Sequence, residues 1–386
     1  MAAKIFYQKG KKYNCVKNGK PYFRKSAVIN GKQRSFYGDG EKDALRKIEE
    51  AKGLARDGFD FDKKTAKTDE VFRSWLFDVK RVDRNIKAST FAVYENKYRK
   101  FVKDSPLGHA TLSCLTSASV QKTLNAISEN GEASGQSIEY FLRLFRQFCK
   151  WAIAEGFLVK DPTRNVAIPG ERTKRKHEVE TFTDEERQRL LSYMTQTGYG
   201  YDVLIRLAFA TGMRKGELLA LKWEDIDDDV IHVRRSTQIV AHIQEDGERN
   251  RKREVWDTKT VAGTRDIPLL ETTSQMLKEL KHKQKVYLFS KGLPQTEYVF
   301  VNSNGNLISS SNLDASYTAL LCRAGIPHKK FHAIRHTFAT EAIRRGVPVK
   351  DLQVLLGHTD IATTYIYVHA TEETKRSAIE RIGEMM

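Results

Sequence analysis

Over the first forty residues, short runs rich in Tyr, Phe and Val (IFYQ, YNCV, YFRKSAVI, QRSFYG) alternate with turn signals, Asn-Gly-Lys occurring at 18–20 and again at 30–32. Asn-Gly between such runs favours the tight turn that joins two antiparallel strands, so a small hairpin-built sheet is predicted, followed by a helix from about Glu41 to Leu54. Residues 55–69 keep no apolar period and read as a linker. From Val71 to about Asn165 the period becomes helical. Tyr94, Tyr98 and Phe101 share a face of a helix opened by Ser89 and Thr90, and Ile138, Phe141, Leu142, Phe145, Phe148, Cys149 and Ala152 form a second apolar stripe. Both stripes read as core, and neither suggests a cofactor site.

A second break falls at Pro169–Glu178, where Pro and Gly accompany Arg172, Lys174, Arg175, Lys176 and His177 in an extended strap suited to crossing phosphates. Thr183 with Glu186 three residues on is a capping box, so a new domain starts near residue 180. Its pattern is mixed: helices through Tyr201–Phe209 and Gly216–Leu221, strand-like VIHVRRSTQIV and TRDIPL, then helices to the end. The expected architecture is multidomain. Residues 1–65 form a small three-stranded β-sheet plus helix, 70–168 an all-α domain, and 179–386 a mixed, mainly-α α+β domain. A length of 386 residues suits two or three domains at roughly 150 residues each.

Composition sharpens this picture through charge. The chain is ordinary in its 40% hydrophobic and 30% charged residues but carries a net charge of +17, a surplus that attracts phosphate polyanions or acidic surfaces. Ten Lys or Arg residues face a single acid, Asp39, within the first forty positions, so the predicted sheet is a basic module fit to lie against DNA phosphates. Lys97, Arg99, Lys100, Lys103, Arg143, Arg146 and Lys150 interleave with the helical stripes and permit a phosphate-facing side there too. MAAKIFYQKG has no apolar leader, and apolar stretches are broken well short of a membrane span. Cys15, Cys114, Cys149 and Cys322 form no CxxC pair, which suits isolated thiols in a reducing cytoplasm.

Phosphate-binding glycine loops of the Walker type, HExxH and GxSxG are all missing from the chain. The acidic run Asp225, Asp227, Asp228 and Asp229 lacks the glycine and spacing of a calcium loop and reads as a solvated turn. The C-terminal half instead gathers cations and proton carriers at element ends. Arg214 follows Gly212, where one helix stops and another begins; Lys259 sits in a turn between strands; His332 and Arg335 share a helix face; His358, Tyr365 and Tyr367 follow. Singly each is unremarkable. Together they supply what phosphodiester cleavage without a metal requires: guanidinium groups for the phosphoryl oxygens, a hydroxyl nucleophile, a base for its proton and an acid for the departing sugar oxygen.

Four segments in order, ATGMRKGELLAL, TKTVAGTRDIPL, FHAIRH and LLGHTDIATTYIYVH, resemble the tyrosine recombinase (phage integrase) family. By that resemblance Arg214, Lys259, His332, Arg335 and His358 activate the phosphate, and Tyr367, rather than its neighbour Tyr365, is the nucleophile. The implied activity is site-specific cutting and rejoining of double-stranded DNA through a 3′-phosphotyrosine, with no metal, ATP or other cofactor, by a homotetramer on two DNA sites. STFAVYENKYRKFV and QSIEYFLRLFRQFCKWAIAEGFLVKDPTRNV are similar to the family's helical core-binding domain, and the basic N-terminal module resembles the arm-binding domain of integrases from temperate phages and conjugative transposons. That module makes an excisionase and a DNA-bending protein expected partners. The amphipathic tail from Thr371 to Met386, with Ile379 and Ile382, is expected to dock on a neighbouring protomer. The rival readings are a non-catalytic DNA-binding regulator, which has no need of the catalytic set, a type IB topoisomerase, and a dimer-resolving recombinase of the same family; by family resemblance, the arm-like module argues against both of the latter.

Overall fold

The computed structural model describes residues 5–17, 19–169, 179–198, 200–257 and 263–368. The chain divides into two compact units, residues 1–173 with 241–250, and residues 174–240 with 251–386. The strap at 170–178, Lys259 and the tail from Thr371 to Met386 lie outside the described residues.

In the first unit β1 (Phe6–Gln8) pairs with β2 (Lys11–Tyr13) as a two-stranded hairpin, and β3 (Cys15–Lys17), β4 (Lys20–Ile29) and β5 (Lys32–Gly38) form an antiparallel sheet in that order. The sequence reading of one three-stranded sheet therefore holds for β3–β5, with a further hairpin beside it. Asn30 and Gly31 turn β4 into β5 with φ of 49° and 73°, the left-handed pair that an Asn-Gly hairpin turn demands. α1 (Glu41–Arg56) packs on β4 and β5 through buried Ala44, Ile48 and Ala51. The stretch expected to be a linker is held by its own hydrogen bonds. Asn30 Nδ2 donates to Phe59 O at 3.0 Å, Asp60 N to Gly156 O at 2.9 Å, and Lys63 Nζ to Glu155 O at 2.6 Å. Of its polar side chains, Lys63 is spent on a backbone carbonyl and Asp62 on the side chains of Lys32 and Arg34.

The helices of this unit are α2 (Thr68–Ser74), continued by a wider π turn at Trp75–Lys80, α3 (Ala88–Phe101), α4 (Pro106–His109), α5 (Ser117–Glu129) and α6 (Gly135–Ala154). The predicted stripe of α6 is buried along its length and stacks on its neighbours, Phe101 and Phe141 lying 4.5 Å apart at 6°. Each such side chain contributes about 1.5–3 kcal/mol by leaving water.

The second unit opens with α7 (Asp184–Thr197), whose capping box is formed as the spacing predicts: Thr183 accepts from Glu186 N at 3.2 Å and Glu186 accepts from Thr183 N at 2.9 Å. α8 (Asp202–Thr211) and α9 (Lys215–Ala220) lead to β6 (Val230–Val233), β7 (Arg235–Ile243), β8 (Arg249–Asp257) and β9 (Arg265–Pro268), of which residues 241–250 at the end of β7 and the start of β8 count with the first unit. β6 pairs antiparallel with β9, and β7 with β8. α10 (Glu271–Ser290), α11 (Ser310–Arg323), α12 (His332–Arg344), α13 (Val349–Leu356) and α14 (Ala362–Tyr365) complete it. Leu204, Leu207, Leu218, Leu313, Leu320 and Ile334 anchor its core, and Ala339, Leu352, Leu356 and Tyr367 form a smaller cluster. The mixed, mainly-α α+β reading holds. Among the described residues no helix is long and apolar enough to cross a membrane.

The acidic run departs from its expectation at one position. Asp225 is buried, taking Arg235 Nη2 at 2.7 Å and Lys222 N at 3.1 Å, because an arginine from β7 replaces the water that a solvated turn would have offered. Asp228 stays exposed, and Asp227 bonds His232 Nε2 at 2.8 Å.

Candidate active site

Two closely packed glycines flank Arg214. Gly212 ends α8 with φ of 63°, a left-handed conformation, and a Cβ there would meet the Phe338 ring at 2.5 Å, so only glycine allows α8 to lie this close to α12. Gly216 lies against β7, where a Cβ would meet Thr237 O at 2.6 Å. Between them Arg214 caps α9, its backbone N–H donating to Glu217 Oε2 and its Nη1 to Glu217 Oε1, both at 2.8 Å.

The C-terminal end of α13 gathers the cations. Its last carbonyls have no partner within the helix and carry the negative end of the helix dipole. Three guanidiniums fill the gap: Arg265 Nε donates to Leu355 O at 2.6 Å, Arg335 Nη2 to Leu356 O at 2.6 Å, and Arg214 Nη2 to Gly357 O at 3.0 Å. Arg335 Nη1 also donates to Gly212 O at 2.9 Å. Glu217, 3% exposed, accepts from both Nη atoms of Arg265 at 3.1 and 2.8 Å. Burial raises the Glu217 pKa, but Arg265 and Arg214 outweigh it, and the carboxyl sits below its ordinary value. Arg335 is 2% exposed, and burial with Arg214 lowers its pKa to about 9, so it stays charged at neutral pH.

His358 follows Gly357, which closes α13 in the left-handed conformation. Its Nε2 lies 2.9 Å from Arg335 Nη2 and its Nδ1 2.9 Å from Thr364 Oγ1. Since a guanidinium only donates, Nε2 accepts, and the ring proton is assigned to Nδ1. Burial and then Arg335 lower the His358 pKa to about 4. His332 starts α12, and burial of the ring base followed by His336, Arg335 and Arg214 lowers its pKa to about 4 as well. Both histidines are neutral near pH 7.

Tyr367 is 3% exposed, its hydroxyl 2.8 Å from His336 Nδ1. Burial raises its pKa, opposed by Arg335 and Arg214. Tyr365 is 54% exposed. A cleft of about 530 Å³ opens beside Arg214 and His358, bounded by Trp256, Gly263 and Thr363.

Of the residues singled out from sequence, Arg214, Arg335, His358 and Tyr367 come together, His332 adjoins them through His336, and Lys259 is outside the described residues. The sequence reading missed Glu217, Arg265 and His336. Glu217 is three residues after Arg214 and His336 four after His332, spacings that share a helix face, whereas Arg265 carries no local signal. The arrangement holds cationic donors, neutral imidazoles and a phenol in one place, as an attack of tyrosine on a phosphodiester needs.

Residues 180–374 match the phage integrase family. A protein named tyrosine recombinase XerC-like, from Caldanaerobacter subterraneus subsp. tengcongensis, is 37% identical over 392 residues, spanning 97% of this chain and 99% of its own length. Among solved structures, the Tn1549 transposon integrase in complex with transposon right end DNA matches with a TM-score of 0.66 at 21% identity, over 82% of this chain and 99% of that one. A lambda integrase dimer bound to a COC′ core site matches with a TM-score of 0.58 at 17% identity, over 94% of this chain and 93% of that one. At these identities the structures show a shared fold.

Proposed function

This chain belongs to the phage integrase family and is a site-specific tyrosine recombinase acting on DNA, and from that premise we propose how its residues divide the work. Tyr367 attacks the scissile phosphate, forms a 3′-phosphotyrosine and frees a 5′-hydroxyl. Arg214 and Arg335 hold the non-bridging oxygens, each such donor lowering the barrier by roughly 3 kcal/mol. His358 and His332 complete the phosphate site, and Lys259 protonates the leaving oxygen. A 5′-hydroxyl from a partner duplex then displaces Tyr367. The bond energy is kept in the phosphotyrosine, so this chemistry calls for no ATP. The observation that supports the reading is the meeting of Arg214, Arg335 and His358 at the end of α13, with the phenol of Tyr367 in the same cluster.

We further propose that residues 1–65 grip arm-type sites, 70–168 the core site, and 179–386 carry the chemistry, so that one protomer holds two DNA sequences. Four such protomers would exchange strands between two sites, moving a mobile element into and out of a chromosome, with an excisionase and a DNA-bending protein setting direction. The basic N-terminal module supports this over a dimer-resolving role.

The test is covalent trapping. A core site recovered by binding selection from random duplexes is nicked, incubated with the protein in EDTA, and run on a denaturing gel. An adduct with the wild type and Tyr365→Phe, lost with Tyr367→Phe, is the expected result. An adduct that survives Tyr367→Phe overturns the assignment.

A further inference from the structure

The hydroxyl of Tyr367 has a hydrogen-bond partner that the family motif does not name. His336 Nδ1 stands 2.8 Å from it, with the ring centroids 5.6 Å apart at 50°. A neutral phenol donates, so Nδ1 accepts and the imidazole proton belongs on Nε2. Among the described residues no hydrogen bond joins His332 to Tyr367; His332 meets the His336 ring edge-on instead, 4.5 Å between centroids at 82°. The two partners come from distant parts of the chain, α12 and the residues after α14. Tyr367 is buried in one cluster with apolar Ala339, Leu352 and Leu356, so the phenol is held by packing.

We infer that His336 is the base that takes the phenolic proton of Tyr367. The inference rests on Tyr367 being the nucleophile. As the bond from the tyrosine oxygen to phosphorus forms, the O–H bond breaks and its proton moves to Nδ1, leaving an imidazolium. The bond from phosphorus to the 5′ oxygen breaks, and that oxygen takes its proton from a separate acid, Lys259 in the proposed scheme. Resealing reverses both transfers, and His336 returns the proton to the departing phenolate. Burial and then Arg335 hold the His336 pKa low in the DNA-free protein, which keeps the ring neutral and able to accept. An arriving phosphate anion favours the imidazolium, so His336 becomes the stronger base when there is a phosphate to attack.

The experiment follows single-turnover adduct formation on the nicked core-site duplex by full-length His336→Asn, whose side-chain oxygen can still accept the tyrosine hydrogen bond but takes no proton. Expected is a loss of about 100-fold or more in rate, with core-site affinity unchanged by gel shift. The loss persists on a duplex with sulfur in place of the scissile 5′ oxygen, because a thiolate leaves without an acid, whereas Lys259→Ala recovers there. A near-wild-type rate for His336→Asn, or its recovery on the sulfur duplex, overturns the inference. If thermal melting shows that His336→Asn does not fold, His336→Ala with added imidazole decides: recovery supports the base, and no recovery overturns it. Tyr367→Phe run alongside separates the levels, since an adduct there removes the nucleophile assignment, while its absence beside a fast His336→Asn removes only the base.

Discussion

Glu217→Ala is the most informative stability change the site offers. The carboxylate is buried and accepts four charge-assisted or backbone hydrogen bonds, from Arg214 N and Nη1 and from Arg265 Nη1 and Nη2, at 2.8 to 3.1 Å. Alanine removes the only carboxylate that ion-pairs with either guanidinium among the described residues, and Arg265 is 6% exposed. Breaking a buried pair from one side costs about 3–5 kcal/mol, a large part of the 5–15 kcal/mol that holds a typical domain together. With a urea slope of about 2 kcal/mol per molar, the midpoint drops by about 2 M. Hydrogen exchange of peptides spanning α8 and α9, followed against urea by mass spectrometry, reads this unit separately from the other. Glu217→Gln restores the volume and one acceptor but turns an amide N–H toward a guanidinium, so it falls between. The folded pKa of Glu217 is depressed, so its stabilisation is present above about 4.5 and fades as pH falls through the lower folded value; the gap between wild type and Glu217→Ala closes in acid. A midpoint shift under about 0.3 M at neutral pH would refute the claim that this carboxylate holds the arginines in place.

Three further outcomes are expected. Gly212→Ala, forced into the left-handed region and onto the Phe338 ring, loses about 2–3 kcal/mol and about 5–10 °C in Tm; a melt within a degree or so of wild type counts against the close approach of α8 and α12. His232 lies between Asp227 and Asp266, at 2.8 and 2.7 Å, and its pKa is raised by both, so its stabilisation is complete below about 6.5 and is lost as pH rises through the higher folded value. Melts of wild type and His232→Asn should differ at about pH 6 and converge by about pH 9; a constant gap contradicts the pairing. Arg235→Ala strands the buried Asp225 and costs about 3–5 kcal/mol, measured by the same exchange experiment, with under about 1 kcal/mol counting against it.

What the sequence made legible was whatever acts over a few residues. The Asn-Gly turn at Asn30, the capping box of Thr183 and Glu186 and the helix stop at Gly212 each depend on local backbone chemistry, and each is found in place. The motif arginines and histidines were legible because their spacing and order survive in the chain. Glu217 and Arg265 were not, since a salt bridge spanning 48 positions looks, at either end, like an ordinary surface charge. The same blindness made Asp225 seem solvated and left RNRKREVWD, rich in charge and without a strand signal, unassigned, although it forms β8 by pairing with β7. His336 went unnoticed because its partner is 31 residues away.

The contrast between Tyr365 and Tyr367 bears on how this protein behaves among bystander molecules. With Tyr365 54% exposed and Tyr367 only 3%, a tyrosine-selective reagent such as N-acetylimidazole reaches the phenol of Tyr365 and passes over that of Tyr367. If Tyr367 is the nucleophile proposed above, the group that cuts DNA is stored inside the fold, hidden from stray electrophiles and stray phosphates alike. On that proposal, restraint toward other phosphodiesters is partly a matter of access, settled before any base pair is read.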